Sequence, residues 1–322
     1  MPHTTKSISK KPHNKHKEKK LTQAVSQNDV YARVTNKIIA DLEQGNLTWS
    51  KPWNSEHLEG QVMLPIRWNK IPYTGINSLM LWGTAAEKGY ILPYWMTFNQ
   101  AIEMKASVKK GEKGTQVVYA NKLTKEETDD NGETKTNQIP YLKAYTVFNA
   151  SQIEGLPESY YKVPESPAIS SEQRIETLED FFTQTKADIY TGNKASYHQT
   201  ADRIQMPPFE CFEKATGYYA TLAHELTHWT KHPKRLNRDL GRKHNGDEGY
   251  AKEELVAELG ACFLAASLGF EPLPEEGHAA YIQSWLKVLK DDKRFIFSAA
   301  SQAQKAVEYI QSLQHAENYI PA

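Results

Sequence analysis

The chain has 322 residues, 39% of them hydrophobic and 11% aromatic, which is enough for two domains with hydrophobic cores. Lysine plus arginine equals aspartate plus glutamate at 39 each, so the formal net charge is zero. No run of about eighteen apolar residues occurs, which excludes a transmembrane helix, and no apolar segment follows the first lysines, so we expect no secretory signal. Two cysteines, Cys211 and Cys262, exclude a disulfide framework and favour a cytoplasmic protein.

Residues 1–27 form a basic segment that we expect to be disordered. Seven lysines and one glutamate lie among the first twenty residues, and the segment lacks apolar periodicity. Such a tail is either a solvated end or an electrostatic arm for nucleic acid, and the sequence leaves both interpretations open.

Residues 28–158 are predicted to form an α+β domain. Apolar residues at helical spacing predict helices over residues 29–42 and 77–87, and Thr97 begins a shorter helix. Residues 108–119 are predicted to form a turn followed by a strand, and the partner strand is predicted over residues 141–149. The polar segment between them, residues 124–138, contains Asp130-Asn131-Gly132, which predicts a hairpin tip. Prolines and serines in residues 159–170 predict a linker.

Residues 171–322 are predicted to form a second domain with a small sheet and metal-binding helices. A helix over residues 171–186 precedes three short strands over residues 187–190, 195–198 and 202–206. Two later helices are predicted over residues 281–289 and 298–313. The predicted fold class is therefore α+β, with two domains.

The most informative motif is His224-Glu225-Leu226-Thr227-His228, which lies in a predicted amphipathic helix. Residues four apart lie on one face of a helix, so both imidazoles can take positions of a tetrahedral zinc site. Glu225 then flanks the metal, where it can take a proton from a zinc-bound water. The motif predicts a zinc site with a catalytic base.

A second helix supplies the predicted third ligand. Glu254 and Glu258 lie on a face whose small residues allow a close approach of the two helices: Ala257, Ala261 and Ala265. We assign Glu254 as the ligand and Glu258 as the acceptor of the second N–H of a metal-bound histidine. Spacing alone leaves the reverse assignment open. A purely structural interpretation of this helix places Lys252 and Glu253 in water.

The segment between the two helices is rich in basic residues. We interpret it as a solvated loop, and an extension of a DNA-binding surface is the alternative: Lys231, Lys234, Arg235, Arg238, Arg242 and Lys243. His244, His278 and Tyr281 are candidates for the electrophile opposite Glu225. None of them is assigned a catalytic role, because each residue is more typical of a structural or surface position.

Several further motifs occur in order along the chain. In the N-terminal half they are Trp49-Ser50-Lys51-Pro52-Trp53, Tyr73-Thr74-Gly75-Ile76-Asn77, Trp95-Met96-Thr97-Phe98, Lys110-Gly111-Glu112-Lys113-Gly114 and Val147-Phe148-Asn149. In the C-terminal half they are His224-Glu225-Leu226-Thr227-His228-Trp229-Thr230, Arg235-Leu236-Asn237-Arg238, Glu253-Glu254-Leu255-Val256-Ala257-Glu258 and Ser284-Trp285-Leu286. Through these motifs, which span roughly residues 28–315, the chain resembles ArdC-type antirestriction proteins and their zincin-like metallopeptidase domain.

The resemblance implies a single-stranded-DNA-binding domain joined to a metal site, on a protein that protects incoming plasmid DNA from restriction. Aromatic rings stack on unpaired bases, and basic side chains contact phosphates. We place Trp82, Trp95 and Phe98 in the core and favour the polar loops for DNA contact. The residues predicted to bind DNA are Lys51, Arg67, Trp68, Lys70, Lys109, Lys110 and Lys113.

The predicted chemistry of the metal site is amide hydrolysis. With zinc on the two histidines and Glu254, a fourth position is open for water, whose proton Glu225 takes and later returns to the leaving amine. We expect the peptide to lie along an edge strand near Tyr197. Mn²⁺ is the alternative to Zn²⁺, a host restriction-system protein is a candidate substrate or target, and no membrane partner is expected.

Two other functions remain open at this point. A non-catalytic protein could coat single-stranded DNA and protect it by occlusion, with a structural metal in the second domain. A metal-dependent nuclease fits less well, because such sites favour several carboxylates and hard metal ions. Glu225 favours the enzyme, because a purely structural site has no need of a base.

Overall fold

A computed structural model describes residues 30–45, 47, 49, 63–128, 134–162, 171–241, 247–270 and 278–314. The predictions made for the basic tail, Lys51, the hairpin tip and residues 163–170 of the linker lie outside these ranges. Within them, none of the helices combines the length and the apolar character that crossing a membrane requires.

The N-terminal half combines helices with a four-stranded sheet. Its helices are α1 Val30–Glu43, α2 Ile76–Lys88 and α3 Phe98–Glu103. Its strands are β1 Ile66–Arg67, β2 Tyr94–Met96, β3 Ser107–Val108, β4 Thr115–Thr128, β5 Thr134–Asn149 and β6 Ile153–Glu154. The sheet order is β1-β2-β5-β4, and β3 pairs separately with β6. The predicted helices are confirmed, and Thr97 caps α3 by accepting a hydrogen bond from the backbone N–H of Gln100.

Strands β4 and β5 form a hairpin that is longer than the sequence predicts. The segment predicted as a polar connection, residues 124–138, is paired over most of its length, with Thr124 opposite Gln138 and Thr128 opposite Thr134. Backbone hydrogen bonds hold such a ladder. Because the composition of a segment does not reveal those bonds, the two predicted strands, which end at residue 119 and begin at residue 141, are too short.

The C-terminal half contains a three-stranded sheet and a group of helices. The helices are α4 Ser171–Gln184, α5 Ala215–Trp229, α6 Glu248–Leu268, α7 His278–Asp291 and α8 Phe295–Ser312. The strands are β7 Asp188–Thr191, β8 Ser196–His198 and β9 Arg203–Met206. Strand β9 is central, parallel to β7 and antiparallel to β8. The predicted α+β architecture is confirmed, and α6 ends at Gly269, which adopts the left-handed conformation with φ 73°.

One hydrophobic core extends through both halves of the molecule. Trp82 of α2 contacts Phe263 of α6, with ring centroids 5.9 Å apart. Trp49 contacts Trp285 of α7 at 6.1 Å. The helix predicted to carry the third metal ligand is therefore also part of the contact between the two halves.

Candidate metal centre

Helices α5 and α6 approach each other closely because Gly260 faces Thr227. A Cβ atom on Gly260 would lie 2.5 Å from Cγ2 and 2.6 Å from Oγ1 of Thr227. The Thr227 hydroxyl donates a hydrogen bond of 2.8 Å to the carbonyl of Ala223, which fixes its orientation. Any larger residue at position 260 would therefore push the two helices apart.

Three side chains on these helices converge on one point. Nε2 of His224 lies 3.6 Å from Oε2 of Glu254, and Nε2 of His228 lies 3.5 Å from Oε1 of the same carboxylate. The three candidate ligand atoms all lie within 4.8 Å of one another. Two imidazole nitrogens and a carboxylate oxygen form a donor set that zinc and other divalent metals accept, so these residues fit a metal ion.

The two other predicted site residues lie beside this group. Glu225 is 6% exposed and follows His224 directly on α5. Oε2 of Glu258 lies 3.9 Å from Nδ1 of His224, which is longer than a hydrogen bond. Glu254, rather than Glu258, therefore faces the Nε2 atoms of both histidines, and the outer role assigned to Glu258 stays a prediction.

The interpretation that places Glu253 in water is wrong. Glu253 is 3% exposed, and its Oε1 lies 3.1 Å from Nδ1 of His228. Arg238 donates to both oxygens of Glu253, at 2.9 and 2.8 Å, and to the carbonyl of Thr227 at 2.8 Å. Because Glu253 engages Nδ1, it orients the imidazole so that Nε2 faces Glu254. The spacing of the motif gave no way to choose Glu253 over its neighbours.

The basic segment after α5 also differs from the predicted solvated loop. Lys231 and Arg238 are each 7% exposed. Arg235 forms an ion pair with Asp202, which precedes β9, and its Nε donates to the carbonyl of Trp229 at 2.7 Å. The segment is therefore packed between α5 and the small sheet. Lys234 is exposed as predicted, whereas residues 242–246, including the candidate His244, lie outside the described part of the chain.

Tyr250 is a further polar residue near the site, and the sequence analysis missed it. It lies one helical turn before Glu254, and its hydroxyl is 2.9 Å from that of Tyr281, which stacks on Trp285. Burial raises the pKa of Tyr250, and hydrogen bonding to Tyr281 and to Glu254 adds to this effect. Tyr281, a predicted candidate for the electrophile, is thus linked to the metal centre through Tyr250.

The charges of the site stabilise a proton on its histidines. Burial alone would lower the pKa of His224. The hydrogen bond to Glu254 and the charges of Glu225 and Glu258 outweigh burial and raise that pKa to about 10. Burial likewise acts to raise the pKa of Glu254, and the two histidines lower it instead. A metal ion that binds here must displace the proton.

The predicted DNA-binding residues lie on the surface of the N-terminal half, except Lys51, which lies outside the described residues. Trp68 is 38% exposed in a turn where Lys70 adopts a left-handed conformation with φ 65°. Arg67 is half-buried and lies over the ring of Tyr73, 4.9 Å from its centroid. The turn before β4 exposes the remaining three: Lys109, Lys110 and Lys113.

The core assignments made from the sequence are partly wrong. Trp82 and Trp95 are fully buried as predicted, but Phe98 is 51% exposed. Phe98 is the first residue of α3, a short helix that buries Ala101 instead. The N-terminal half also contains a small second core, which we call the outer cluster: Leu92, Tyr94, Met96, Ala101, Ala106, Ala150, Ile153 and Leu156. Large exposed hydrophobic residues lie close in sequence to its members or to the residues packed against it: Trp68, Ile71, Ile91, Phe98, Ile102 and Tyr161.

Family models match both halves of the chain. Residues 176–302 match the zincin-like metallopeptidase family, and residues 28–148 match the N-terminal domain of the anti-restriction factor ArdC. The fold and the site therefore define a zincin-like domain joined to an ArdC N-terminal domain. A zincin-like domain implies a divalent metal, which agrees with the donor set of His224, His228 and Glu254.

Two crystal structures of the antirestriction protein ArdC from plasmid R388 resemble the chain over 91% of its length. The metal-free structure is 49% identical, with a TM-score of 0.73 and 99% of that chain covered. The Mn(II)-bound structure is 47% identical, with a TM-score of 0.73 and 100% covered. The chain belongs to the ArdC family of antirestriction proteins.

Two curated relatives differ in how much of their length is matched. The uncharacterized protein y4eC of Sinorhizobium fredii is 36% identical over 292 residues, which cover 89% of this chain and 92% of the relative. The DNA primase TraC of Escherichia coli is 37% identical over 297 residues, which cover 87% of this chain but only 27% of the primase. The similarity to the primase therefore concerns a limited part of that protein.

Proposed function

We propose that the protein binds single-stranded DNA through its N-terminal half, hydrolyses a peptide bond at its metal site, and thereby protects incoming DNA from restriction. The observation that carries the peptidase assignment is the convergence of His224, His228 and Glu254 beside the buried Glu225. Zn²⁺ is the proposed metal, because two imidazoles and a carboxylate are a frequent catalytic zinc set. Mn²⁺ is the alternative, since a related ArdC structure is Mn(II)-bound.

Each residue of the site would have a separate role in hydrolysis. The two histidines and Glu254 would hold the metal, which when bound would supply Lewis-acid chemistry for a carbonyl and for water. Glu225 would accept the proton of the attacking water and deliver it to the leaving amine. Glu253 would hold His228 in the productive orientation, and Glu258 would act on His224 in the same way.

An extended peptide would pair with β8, next to Tyr197. In the described part of the chain, β8 pairs with β9 on one side and with no strand on the other. An open strand edge offers unpaired backbone groups to a substrate. Helix α5 carries Glu225, and Arg235 links the end of this helix to Tyr197 of β8 with a 3.3 Å hydrogen bond. This bond supports a fixed position of the strand relative to the proposed base.

The N-terminal half would hold the DNA without reading its sequence. Exposed aromatic residues stack on unpaired bases, and basic residues contact phosphates. Trp68 with Arg67 and Lys70, together with the turn that carries Lys109, Lys110 and Lys113, supports this role. The basic tail and Lys51 would add to it. We further propose that the protein acts in the cytoplasm and that its substrate is a host restriction-system protein.

The decisive experiment compares wild type with Glu225→Gln and Glu225→Ala in a DNA-transfer assay into a restricting host. Metal content and affinity for single-stranded DNA are measured on the same preparations. We expect both variants to retain metal and DNA binding and to lose protection. Full protection by both variants would exclude hydrolysis as the basis of the function.

The second candidate function is protection of DNA by occlusion, without hydrolysis. The hydrophobic core that extends through both halves of the molecule favours it. Because α6 carries Glu254 and also contacts Trp82 through Phe263, a bound metal would stabilise the contact between the two halves. A metal with this structural role would improve DNA binding without any chemistry. In that case metal removal, rather than Glu225→Gln, would abolish protection.

A further inference from the structure

A cavity of about 310 Å³ in the N-terminal half is bordered by α1, by α2 and by the turn before β4. Its volume lies at the lower end of the range of about 300–1,000 Å³ that is typical of ligand sites, so it suits a small ligand. The two helices supply an apolar lining: Val34 and Ile38 from α1, and Leu79 and Met80 from α2. The exposed Lys113, one of the residues predicted to bind DNA, also lies on its wall. The cavity therefore adjoins the proposed DNA-binding surface.

Charged groups of both signs accompany the apolar lining. Four exposed basic side chains belong to the wall: Arg33, Lys37, Lys88 and Lys113. The carboxylates Asp41 and Glu87 belong to it as well, and the charge of Glu112 adds to the effect of burial in raising the pKa of Tyr90. The wall together with Glu112 thus holds four positive and three negative charges. The cations would therefore contact phosphates as individual groups, since no large net charge is present.

Asp41 is a half-buried carboxylate in this wall. Lys37, one helical turn earlier, pairs instead with Glu87, whose Oε2 lies 3.1 Å from the lysine Nζ. Burial raises the pKa of Asp41, the charge of Lys37 opposes this effect and that of Glu87 adds to it, and no hydrogen bond from a described side chain contributes. An acceptor that is partly removed from water in this way gains most from a ligand that brings N–H donors.

An unpaired nucleobase has the shape and the polarity that this cavity requires. Its faces pack against apolar side chains, and its edge carries hydrogen-bonding groups. A carboxylate only accepts hydrogen bonds, so two adjacent N–H donors satisfy both of its oxygens. Guanine carries such a pair on its Watson–Crick edge, N1–H and the 2-amino group. Adenine, cytosine and thymine each place a donor next to an acceptor there.

We propose that this cavity binds one unpaired guanine of the DNA strand, with Asp41 accepting hydrogen bonds from N1–H and from the 2-amino group. This role rests on the proposed binding of single-stranded DNA by the N-terminal half. Exposed cations of the wall, among them Arg33 and Lys113, would hold the phosphates on either side of that base. The exposed rings would hold the remaining bases without distinguishing them, so the guanine contact would set the register of the strand.

The test uses the full-length, metal-loaded protein and labelled oligothymidines that differ only in one central base, with affinity measured by fluorescence anisotropy. The strand with guanine should bind about tenfold or more tightly than the strand with adenine, as for other hydrogen bonds to charged groups. Adenine is the comparison because it has the same ring size. Hypoxanthine, which is guanine without the 2-amino group, should give an intermediate affinity because it keeps N1–H alone.

Asp41→Asn should remove the preference for guanine, because the amide replaces one acceptor by a donor while keeping nearly the same shape. Glu43→Gln is the matched control. It neutralises an exposed carboxylate of the same helix that pairs with Lys290 and is not among the described residues of the cavity wall. This control should leave the preference unchanged. Thermal melting shows whether Asp41→Asn folds, and the preference of the wild type is informative even if it does not.

The outcomes separate the guanine site from the proposed function. Binding of all strands with equal affinity, or a guanine preference that a folded Asp41→Asn retains, would overturn the role of Asp41 and leave the proposed DNA binding intact. Equal binding of the guanine and hypoxanthine strands would also overturn the paired contact. No binding of any single strand would reject the proposed DNA binding and the guanine site with it.

Discussion

The metal centre and the surface around the outer cluster are built in opposite ways. At the metal centre, charged side chains are buried and contact one another, as Glu253 does with Arg238 and His228. Around the outer cluster, large apolar side chains such as Trp68 and Phe98 are exposed. A reacting site requires fixed side chains, whereas a surface that binds single strands of any sequence requires accessible rings. Both regions depart from the usual distribution of residues, which makes them candidates for function.

The largest expected effect is that metal affinity depends strongly on pH. Its cause is the set of fixed charges at the metal centre. His224 must lose its proton to bind metal, and its pKa is about 10 in the metal-free protein. Metal affinity should therefore rise about tenfold per pH unit from about pH 6.5 to pH 9. Competition with a chromophoric chelator measures this slope. A slope of zero would contradict a protonated histidine in the metal-free site.

The stability of the metal-free protein should fall as the pH rises, whereas the metal affinity should rise. A histidine whose pKa is raised above its ordinary value of 6.5 stabilises the fold below that pH. This contribution disappears as the pH rises toward 10, so the melting temperature in the presence of a chelator should fall over this interval. Glu254→Gln removes the carboxylate that faces the proton and should flatten the trend. If Glu254→Gln melts with the same pH dependence as wild type, another group causes it.

Arg238→Met tests whether the buried ion pair orients the metal ligand. The substitution leaves Glu253 buried without its guanidinium partner, and such a loss costs about 3–5 kcal/mol of stability. Metal affinity should fall about 10- to 100-fold, as for other groups that orient a ligand. Chemical denaturation and chelator competition measure the two effects. Lys234→Met serves as the control for loss of a positive charge, and equal behaviour of the two variants would count against the proposed orientation of His228.

Gly260→Ala tests the distance between the two metal helices. The added methyl group would meet Thr227, and overpacking of this kind costs about 1–3 kcal/mol. Metal affinity should fall as well, because Glu254 lies on the displaced helix. Combining the change with Thr227→Ala removes both closest atoms and should restore part of the stability and of the metal affinity. Absence of any rescue would place the effect of Gly260→Ala elsewhere than in this contact.

Trp68→Ala and Phe98→Ala test the exposed aromatic rings of the N-terminal half. Each should weaken binding of single-stranded DNA by about 1 kcal/mol, the lower end of the range for base stacking. Metal binding should not change. Fluorescence anisotropy with a labelled oligonucleotide measures the loss, and Tyr119→Ala, which removes a 52% exposed ring from β4, is the control. If all three variants bind DNA like wild type, the rings around the outer cluster have another partner.

The sequence predicted those residues of the site whose spacing follows the period of an α-helix. The spacing of His224 and His228 predicted that both imidazoles lie on one face of α5, and Glu254 of α6 faces them. The close approach of the two helices occurs at Gly260 and Thr227, and Gly260 is not one of the small residues on the predicted face.

Glu253 could not be distinguished from Glu254 and Glu258 by sequence. The three glutamates lie on one helix and differ only in the direction in which their side chains leave the helix axis. Arg238 was also missed, since its ion pair with Glu253 forms between segments whose relative position the sequence does not specify.

The errors in the N-terminal half have a different physical origin. Phe98 was assigned to the core because of its hydrophobicity, but the first position of the short helix α3 points it away from the outer cluster. The predicted strands of the β4–β5 hairpin are too short because no apolar alternation marks its polar arms. In both cases backbone geometry, rather than side-chain composition, determined the outcome.

The contacts of Trp82 with Phe263 and of Trp49 with Trp285 have a mechanical consequence. A single cut in the chain between residues 162 and 171 should not release two separate pieces, because the hydrophobic core holds them together. The nicked protein would migrate as one particle in a sizing column and dissociate only when the core unfolds. The proposed DNA-binding surface and the proposed peptidase site would therefore stay on the same particle after the backbone is severed.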